Sequence, residues 1–438
     1  MGRRFPAPLS SMNKSITTAA VRPVSERLWS GFGWLICLLF ATYLVLDRAV
    51  YNLLALIVMG IAFTAVYSYR PRLDTELRIL GLVLIANLLL ALPNLILARD
   101  GLISLENPAR MLLMIPLVLA VMRYGLKVHY ICIGLAVGML AAALVASWQY
   151  HVLEVYRPGI HYNPIPFSEV AMSAFAVLLA ACLVIRDRLV PLYLAGLLAA
   201  LYCVILSGTR GTLIAIVPII IFLLWWHRQR STYSEKMPRK GMLLFAVILL
   251  FMGSVLISTG SVIDRTQLAV EQASSYFKGS ESRSGVSIRM ELWRGALMAG
   301  REHPLLGIGY RERETFLQQK ILVGELKPYV ANMHHAHNDY LDALQSRGVP
   351  GLILQILIYA ILILIFIRGI KGVGDEKIFA ALAGMLVTIS YATYSLTEEP
   401  MFHGHPLVFF IIITSLCIGI VKYRKNPVSA DNSRQSSQ

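Results

Sequence analysis

Charge is what this sequence has least of. Only 15% of its 438 residues are Asp, Glu, Lys or Arg, against roughly 25% in a soluble chain. With 57% apolar residues and a mean hydropathy of +0.64, most of the chain must face lipid. The five cysteines (Cys37, Cys132, Cys182, Cys203, Cys417) lie in apolar runs and show neither CxxC nor Cys/His spacing. A disulfide framework and a cysteine zinc site are thereby excluded, and the thiols read as small packing residues. No Asp, Glu, Lys or Arg is read in the cores of the apolar stretches, and no internal repeat halves the chain. Ion-coupled transporters usually carry both features, so any chemistry is expected at the outer surface. A basic face interleaved with aromatics is also missing, so the formal charge of +15 does not indicate a nucleic-acid partner.

What is present is a succession of apolar stretches near 28–46, 49–67, 79–97, 111–123, 129–148, 168–185, 190–207, 211–226, 241–259, 349–367, 378–397 and 405–421. Most approach the roughly 20 residues needed to cross about 30 Å of hydrocarbon. The expected fold is an all-α polytopic membrane protein of about twelve transmembrane helices with one large periplasmic loop. Its segments are a cytoplasmic tail over 1–27, transmembrane helices one to nine over 28–259, a large loop with amphipathic helices over 260–337, helices ten to twelve over 338–421, and a second cytoplasmic tail over 422–438. The first apolar run is too long for a cleaved leader and reads as a retained signal anchor. Lys and Arg accumulate on the cytoplasmic side of short loops. With the N-terminus inside, the inner segments hold 24 of the 40 basic residues, whereas the short outer loops hold only Arg48, Arg99, Arg110, Arg157 and Arg210. The net charge is thus a topology signal.

The outer polar residues concentrate between Gly260 and Arg347. Within this segment Ile288, Leu292, Ala296 and Ala299 recur at helical spacing, with Arg289 and Trp293 one turn apart on the flank. That pattern predicts an amphipathic helix over 286–300 lying on the membrane surface. Next comes Met333-His334-His335-Ala336-His337-Asn338-Asp339-Tyr340-Leu341. A tenth helix running from Asn338 to Ile367 is roughly 45 Å long and overshoots the bilayer. Its surplus, with Asp339, Asp342 and Arg347, must project outward or line a wet cavity. His337 then abuts a helix N-terminus, whose dipole keeps the imidazole neutral, and Asn338 or Asp339 could fix its tautomer. A neutral imidazole there is a candidate general base. The other readings of the cluster are a metal site, for which an H-x-H pair alone is a weak signal, and a solvated helix cap.

His337-Asn338, nine residues, then Gly348-Val349-Pro350-Gly351 resembles the H-N-x9-G-x-x-G motif of bacterial O-antigen ligases. The resemblance extends to Arg157 and Asn163-Pro164-Ile165-Pro166-Phe167 in an outer loop, Ser207-Gly208-Thr209-Arg210-Gly211 between helices seven and eight, and Arg289-x3-Trp293 in the long loop. It implies a GT-C-like glycosyltransferase of the inner membrane. Such an enzyme moves O-antigen polysaccharide from undecaprenyl diphosphate to lipid A-core, without metal or other cofactor. The implied roles are His337 as base and Arg210 and Arg289 as the diphosphate clamp, a task suited to the planar guanidinium fork. Arg157, Asn163, Asn338, Asp339 and Trp293 are possible supports, although Arg157 also fits a plain connector and Trp293 a membrane-surface anchor. An O-antigen polymerase, a protein-directed oligosaccharyltransferase and a lipid or sugar transporter remain as alternatives, and membrane lipids are the expected surroundings.

Overall fold

A computed structural model describes residues 24–67, 69, 71–96, 101–232, 261–278, 283–333 and 335–424. All of the regular structure described is helical: α1 (Val24–Thr42), α2 (Arg48–Val66), α3 (Thr75–Ile96), α4 (Ile103–Leu112), α5 (Met114–Tyr124), α6 (Val128–His151), α7 (Pro164–Val184), α8 (Val190–Ser207), α9 (Arg210–Leu213), α10 (Ile216–Thr232), α11 (Ser261–Phe277), α12 (Gly285–Glu302), α13 (Glu312–Leu322), α14 (Asp339–Gly369), α15 (Asp375–Tyr394) and α16 (Gly404–Lys422), with one 3-10 turn, Pro328–Val330. Among the described residues ten helices are long and apolar enough to cross a membrane, and Trp29–Thr42 is a shorter apolar helix. The short fourth stretch is completed by the preceding turns, so that Ser104–Tyr124 forms one candidate span. The ninth predicted stretch, 241–259, lies outside the described residues, as do nearly all of both predicted tails.

Burial orders the bundle from centre to rim. The spanning window of α7 is 94% buried and those of α15 and α16 are 83% buried, whereas α2 is only 28% buried. The centre is made by small side chains: Ala171, Ala174, Ala176, Ala180 and Ala181 are all buried and let neighbouring backbones approach, which is how helices associate where lipid removes the hydrophobic drive. Gly134 and Gly138 do the same where α6 crosses α1, since a Cβ on either would collide with the backbone of Cys37 or Phe40. One sequence reading is corrected here. Glu169, near the start of the stretch read as 168–185, is an ionisable residue inside an apolar run, fully buried in α7.

Side-chain contacts define two ends. At one, Lys422 bridges Asp74 and Glu76 while Arg368 reaches Glu76, joining the start of α3 to the far ends of α14 and α16. At the other, Tyr43 Oη donates to His405 O at 2.6 Å and Asn94 Nδ2 to Ser346 O at 2.6 Å. This second end carries the 261–333 segment.

That segment has its own small core of Leu292, Leu317, Leu326 and Val330. The predicted amphipathic helix exists as α12, started by a reciprocal Ser284/Ser287 capping box. Its apolar face does not meet the membrane, however. Leu292, Ala296 and Ala299 are all buried: Leu292 joins the segment's own core, Ala299 packs with Ile308 and Phe316, and Gly300 packs on Leu344 of α14. Buried Glu291 ties the unit together by accepting from Lys327 N at 2.9 Å and from Tyr276 Oη.

The predicted long helix is α14, with Asn338 as its N-cap, but it is two rods rather than one. Gly348 has φ 67° and breaks the helical path. A Cβ at Gly348 would strike Pro304 O, and one at Gly307 (φ 67°) would strike Ser346; positive φ and close approach both require glycine. The 303–309 turn is keyed into this notch by Val349 N to Pro304 O at 2.8 Å, Ile308 N to Gln345 O at 2.9 Å and Gly309 N to Ser346 O at 3.1 Å. The motif glycine is therefore a docking feature. The helix surplus does not project into solvent: Asp339, Asp342 and Arg347 are buried and border a cavity of about 30 Å³ with Asn87 and Gln355.

Candidate active site

His337 stands just before the cap of α14 in the left-handed region, φ 50°, a conformation that few non-glycine residues adopt. Three contacts hold it there. Trp293 Nε1 donates to Ala336 O at 3.1 Å, so the tryptophan fixes the backbone of the histidine segment. Asn338 Oδ1 accepts from Tyr340 N and Leu341 N at 3.0 and 3.1 Å, while its Nδ2 donates to Leu396 O at 3.0 Å. The third contact is Glu398 Oε2, 3.2 Å from His337 Nδ1.

That carboxylate was not anticipated from the sequence, and it changes the account of His337. The expectation was a ring whose tautomer is set by the dipole and by Asn338 or Asp339. Instead Asp339 points away, accepting from Ser395 Oγ at 2.7 Å and from Met401 N at 3.2 Å, and so fastens the 395–401 segment that presents Glu398. A carboxylate on Nδ1 makes Nδ1 the protonated nitrogen and leaves Nε2 as the acceptor. Glu398 Oε1 also pairs with Arg289 Nη2, and the Arg289 side chain is 39% exposed. One carboxylate thus grips both a candidate base and a candidate cation.

A second pair runs beside the first. The rings of His335 and His337 are 4.1 Å apart, and His335 Nδ1 lies 3.5 Å from Glu399, whose side chain is fully buried. The Glu399 carboxylate raises the His335 imidazole above its usual range, against the effect of burial. Burial pushes Glu399 up, yet His335 and Arg313 outweigh it and hold the carboxyl below its usual range. Behind the pair, Arg313 and Asp342 form a buried ion pair at 2.6 Å. His403, on the same loop as the two glutamates, is lowered chiefly by burial. His334 lies outside the described residues. Among the described residues no group of three or more His, Cys, Asp or Glu converges as a metal site would require.

Arg157 proves to be a strut. Its Nε donates to Ser207 O at 2.9 Å and its Nη2 to Thr209 Oγ1 at 3.2 Å, beside Gly208 at φ 62°. Ser168 and Thr212 hydroxyls, 2.6 Å apart, complete the fixation of this turn on α7. Arg210 opens α9; its side chain lies outside what is described, but its neighbour Gly211 abuts Thr397 and Glu398, so the backbone delivers this segment to the same site. Asn163 caps α7, accepting from Ile165 N at 3.0 Å, and edges a larger cavity alongside. The site therefore brings together His337, Arg289, Trp293, Asn338 and Asp339, receives the Arg210 segment, and leaves Arg157 and Asn163 at its margin. Sequence reasoning missed Glu398, Glu399, Arg313 and His403. The available signal was an acidic pair before Pro400 in a short loop between two apolar runs.

Comparison with known proteins supplies a context. Over 388 residues the chain is 24% identical to an uncharacterized protein of Haemophilus influenzae, covering 86% of this chain and 94% of that one. Over 230 residues it is 25% identical to an O-antigen ligase of Pseudomonas aeruginosa, 52% of this chain and 48% of the relative. The O-antigen ligase family matches residues 195–356, a range that includes Arg210, Arg289, Trp293 and His337 but ends before the glutamate loop. Together with the ten candidate spans, this makes the chain a multi-pass membrane protein whose residues 195–356 are similar to the O-antigen ligase family.

Proposed function

We propose that the protein transfers a polysaccharide en bloc from undecaprenyl diphosphate to a sugar hydroxyl of lipid A-core, at the periplasmic face of the inner membrane. The observation that carries this reading is the shared carboxylate: Glu398 contacts His337 Nδ1 and pairs with Arg289. A base and a phosphate-binding cation are thereby held in fixed relation before substrate arrives, which is the preorganisation such a reaction needs.

In this scheme the acceptor hydroxyl gives its proton to His337 Nε2 as its oxygen forms the bond to the anomeric carbon. The bond from that carbon to the phosphate oxygen breaks, and the lipid diphosphate departs with the electron pair. Glu398 stabilises the imidazolium that forms, and Arg289, with Arg210, carries the growing diphosphate charge. The left-handed backbone of His337 supports the assignment, because such strain of order 1–3 kcal/mol persists where the surroundings over-determine it, commonly at functional sites.

The test is transfer in vitro from lipid-linked donor to lipid A-core. His337→Ala should lose on the order of 10²- to 10⁴-fold in rate with unchanged membrane levels, and EDTA should have no effect. Full transfer by His337→Ala, or a reaction stopped by EDTA and restored by Mg²⁺, refutes the mechanism.

A further inference from the structure

At the end of the bundle where Lys422 and Arg368 reach Glu76, the first half of α3 and the start of α5 border a groove of about 450 Å³, a size common among small-molecule sites. Its floor is apolar: Leu77, Leu80 and Leu84 of α3 and Met114 and Val118 of α5 line it and are buried. Leu82 and Ile85, 66% and 44% exposed, form its lip. Between floor and lip the side chain is missing altogether. The residue there is Gly81, where a Cβ would meet no atom within 4 Å.

The groove has a closed head and a charged foot. Just past Ile85, Asn87 Nδ2 reaches Met111 Sδ at 3.7 Å, so α3 and the 104–124 span meet there. From Arg78 at the foot to Asn87 at the head is about 14 Å of helix, close to half of the roughly 30 Å of hydrocarbon in a bilayer. The groove therefore matches the depth of one leaflet. Its occupant is a lipid of that leaflet and not a chain that crosses the membrane.

Arg78 lines the foot and is exposed. Asp74, one turn earlier, stands where a helical ion-pair partner would, but Lys422 takes both Asp74 and Glu76, and Arg368 also holds Glu76. Among the described residues the Arg78 side chain has no acidic partner. An uncompensated guanidinium at the foot of an apolar groove is complementary to a phosphate carried on an acyl chain. Basic pockets between spanning helices hold anionic lipid head groups in this way. A zwitterionic head group brings its own ammonium to the same place, so the arginine selects an anionic phospholipid over a neutral one.

We propose that this groove is a binding site for an anionic phospholipid, with one acyl chain lying along Gly81 and the phosphate on Arg78. The assignment is independent of the transferase reading. The test is native mass spectrometry of the purified full-length protein, with phosphatidylglycerol or phosphatidylethanolamine of matched chains added. Wild type should retain phosphatidylglycerol in preference. Arg78→Ala should lower that retention about fivefold, the scale of one arginine against an anionic lipid surface, and leave phosphatidylethanolamine unchanged. Gly81→Leu, which puts a side chain into the open space, should lower retention of both lipids. Arg188→Ala, which removes an exposed arginine outside the groove, should alter neither. Thermal unfolding in phosphatidylcholine nanodiscs gives a second reading: added phosphatidylglycerol should raise the midpoint of wild type more than that of Arg78→Ala. Equal retention of the two lipids by wild type, unchanged retention in both Arg78→Ala and Gly81→Leu, or release of the phosphatidylglycerol by undecaprenyl phosphate overturns the proposal.

Discussion

Both ends of the bundle join their helices with paired charges, yet the two clusters differ in their access to water. At the end formed by Asp74, Glu76, Arg368 and Lys422, the Arg368 side chain is 60% exposed and that of Asp74 41%. At the other end Glu399 is 0% exposed and Arg313 2%. Exposed pairs are screened and cost side-chain entropy, so they contribute little. Buried pairs carry a large desolvation cost and are strongly destabilised when one partner is lost. A fold does not need such pairs to hold helices together. Their presence around His335 and His337 marks a region organised for orientation rather than for stability.

The contrast can be broken experimentally, starting with the largest expected effect. Arg289→Ala should reduce transfer on the order of 10²- to 10³-fold, as does removal of a donor aimed at developing charge. Lys should restore it poorly, because it lacks the bidentate fork. Arg210→Ala should behave likewise; near-normal rates in both variants dismantle the diphosphate clamp. Glu398→Gln keeps the shape but removes the charge shared by His337 and Arg289. A loss of roughly 10- to 100-fold is expected, the scale seen when a group that orients an imidazole is removed. Glu398→Asp, which keeps the charge, should recover part of the rate. No difference between the Asp and Gln variants would assign Glu398 a purely structural role.

His335→Ala tests the second pair through stability. The raised His335 contributes fully below about pH 6.5 and loses that contribution as pH climbs through its elevated value. The lowered Glu399 contributes above about pH 4.3 and loses it as pH falls through its depressed value. The pair therefore stabilises most between those limits. The variant should be less stable by roughly 1–3 kcal/mol near pH 6, with the gap narrowing in alkali; thermal unfolding in detergent across pH measures it, and a pH-independent gap contradicts the pairing. Smallest of all, Arg368→Ala at the opposite end should cost less than about 1 kcal/mol and leave transfer unaltered. A large loss there would erase the distinction between the two ends.

Much of this was legible before the structure. Long apolar runs reveal spans whichever way they face, so each of the ten candidate spans among the described residues was located. The cap at Asn338 and the length of α14 followed from residue type and spacing. The misses have a common physical origin. His337 and Glu398 are 61 residues apart, and no local pattern reports that the 395–401 loop folds over the start of α14. Glu169 was overlooked because one carboxylate barely alters the hydropathy of a run rich in Ala, Leu and Val. The apolar face of α12 was read correctly but given the wrong partner, since a helical stripe says that something covers it and not what. The motif histidine was read from the chemistry of its ring, whereas the motif glycine, Gly348, makes sense only once the 303–309 turn is seen pressed against it.

That notch at Gly348 has a mechanical consequence. The part of α14 before the break is held through Asp339, Asp342 and Ser346, and the break itself is clamped by the 303–309 turn. Any side chain at Gly348 would drive Pro304 off the helix. This one position therefore sets where the unit carrying Arg289 and Trp293 stands relative to His337.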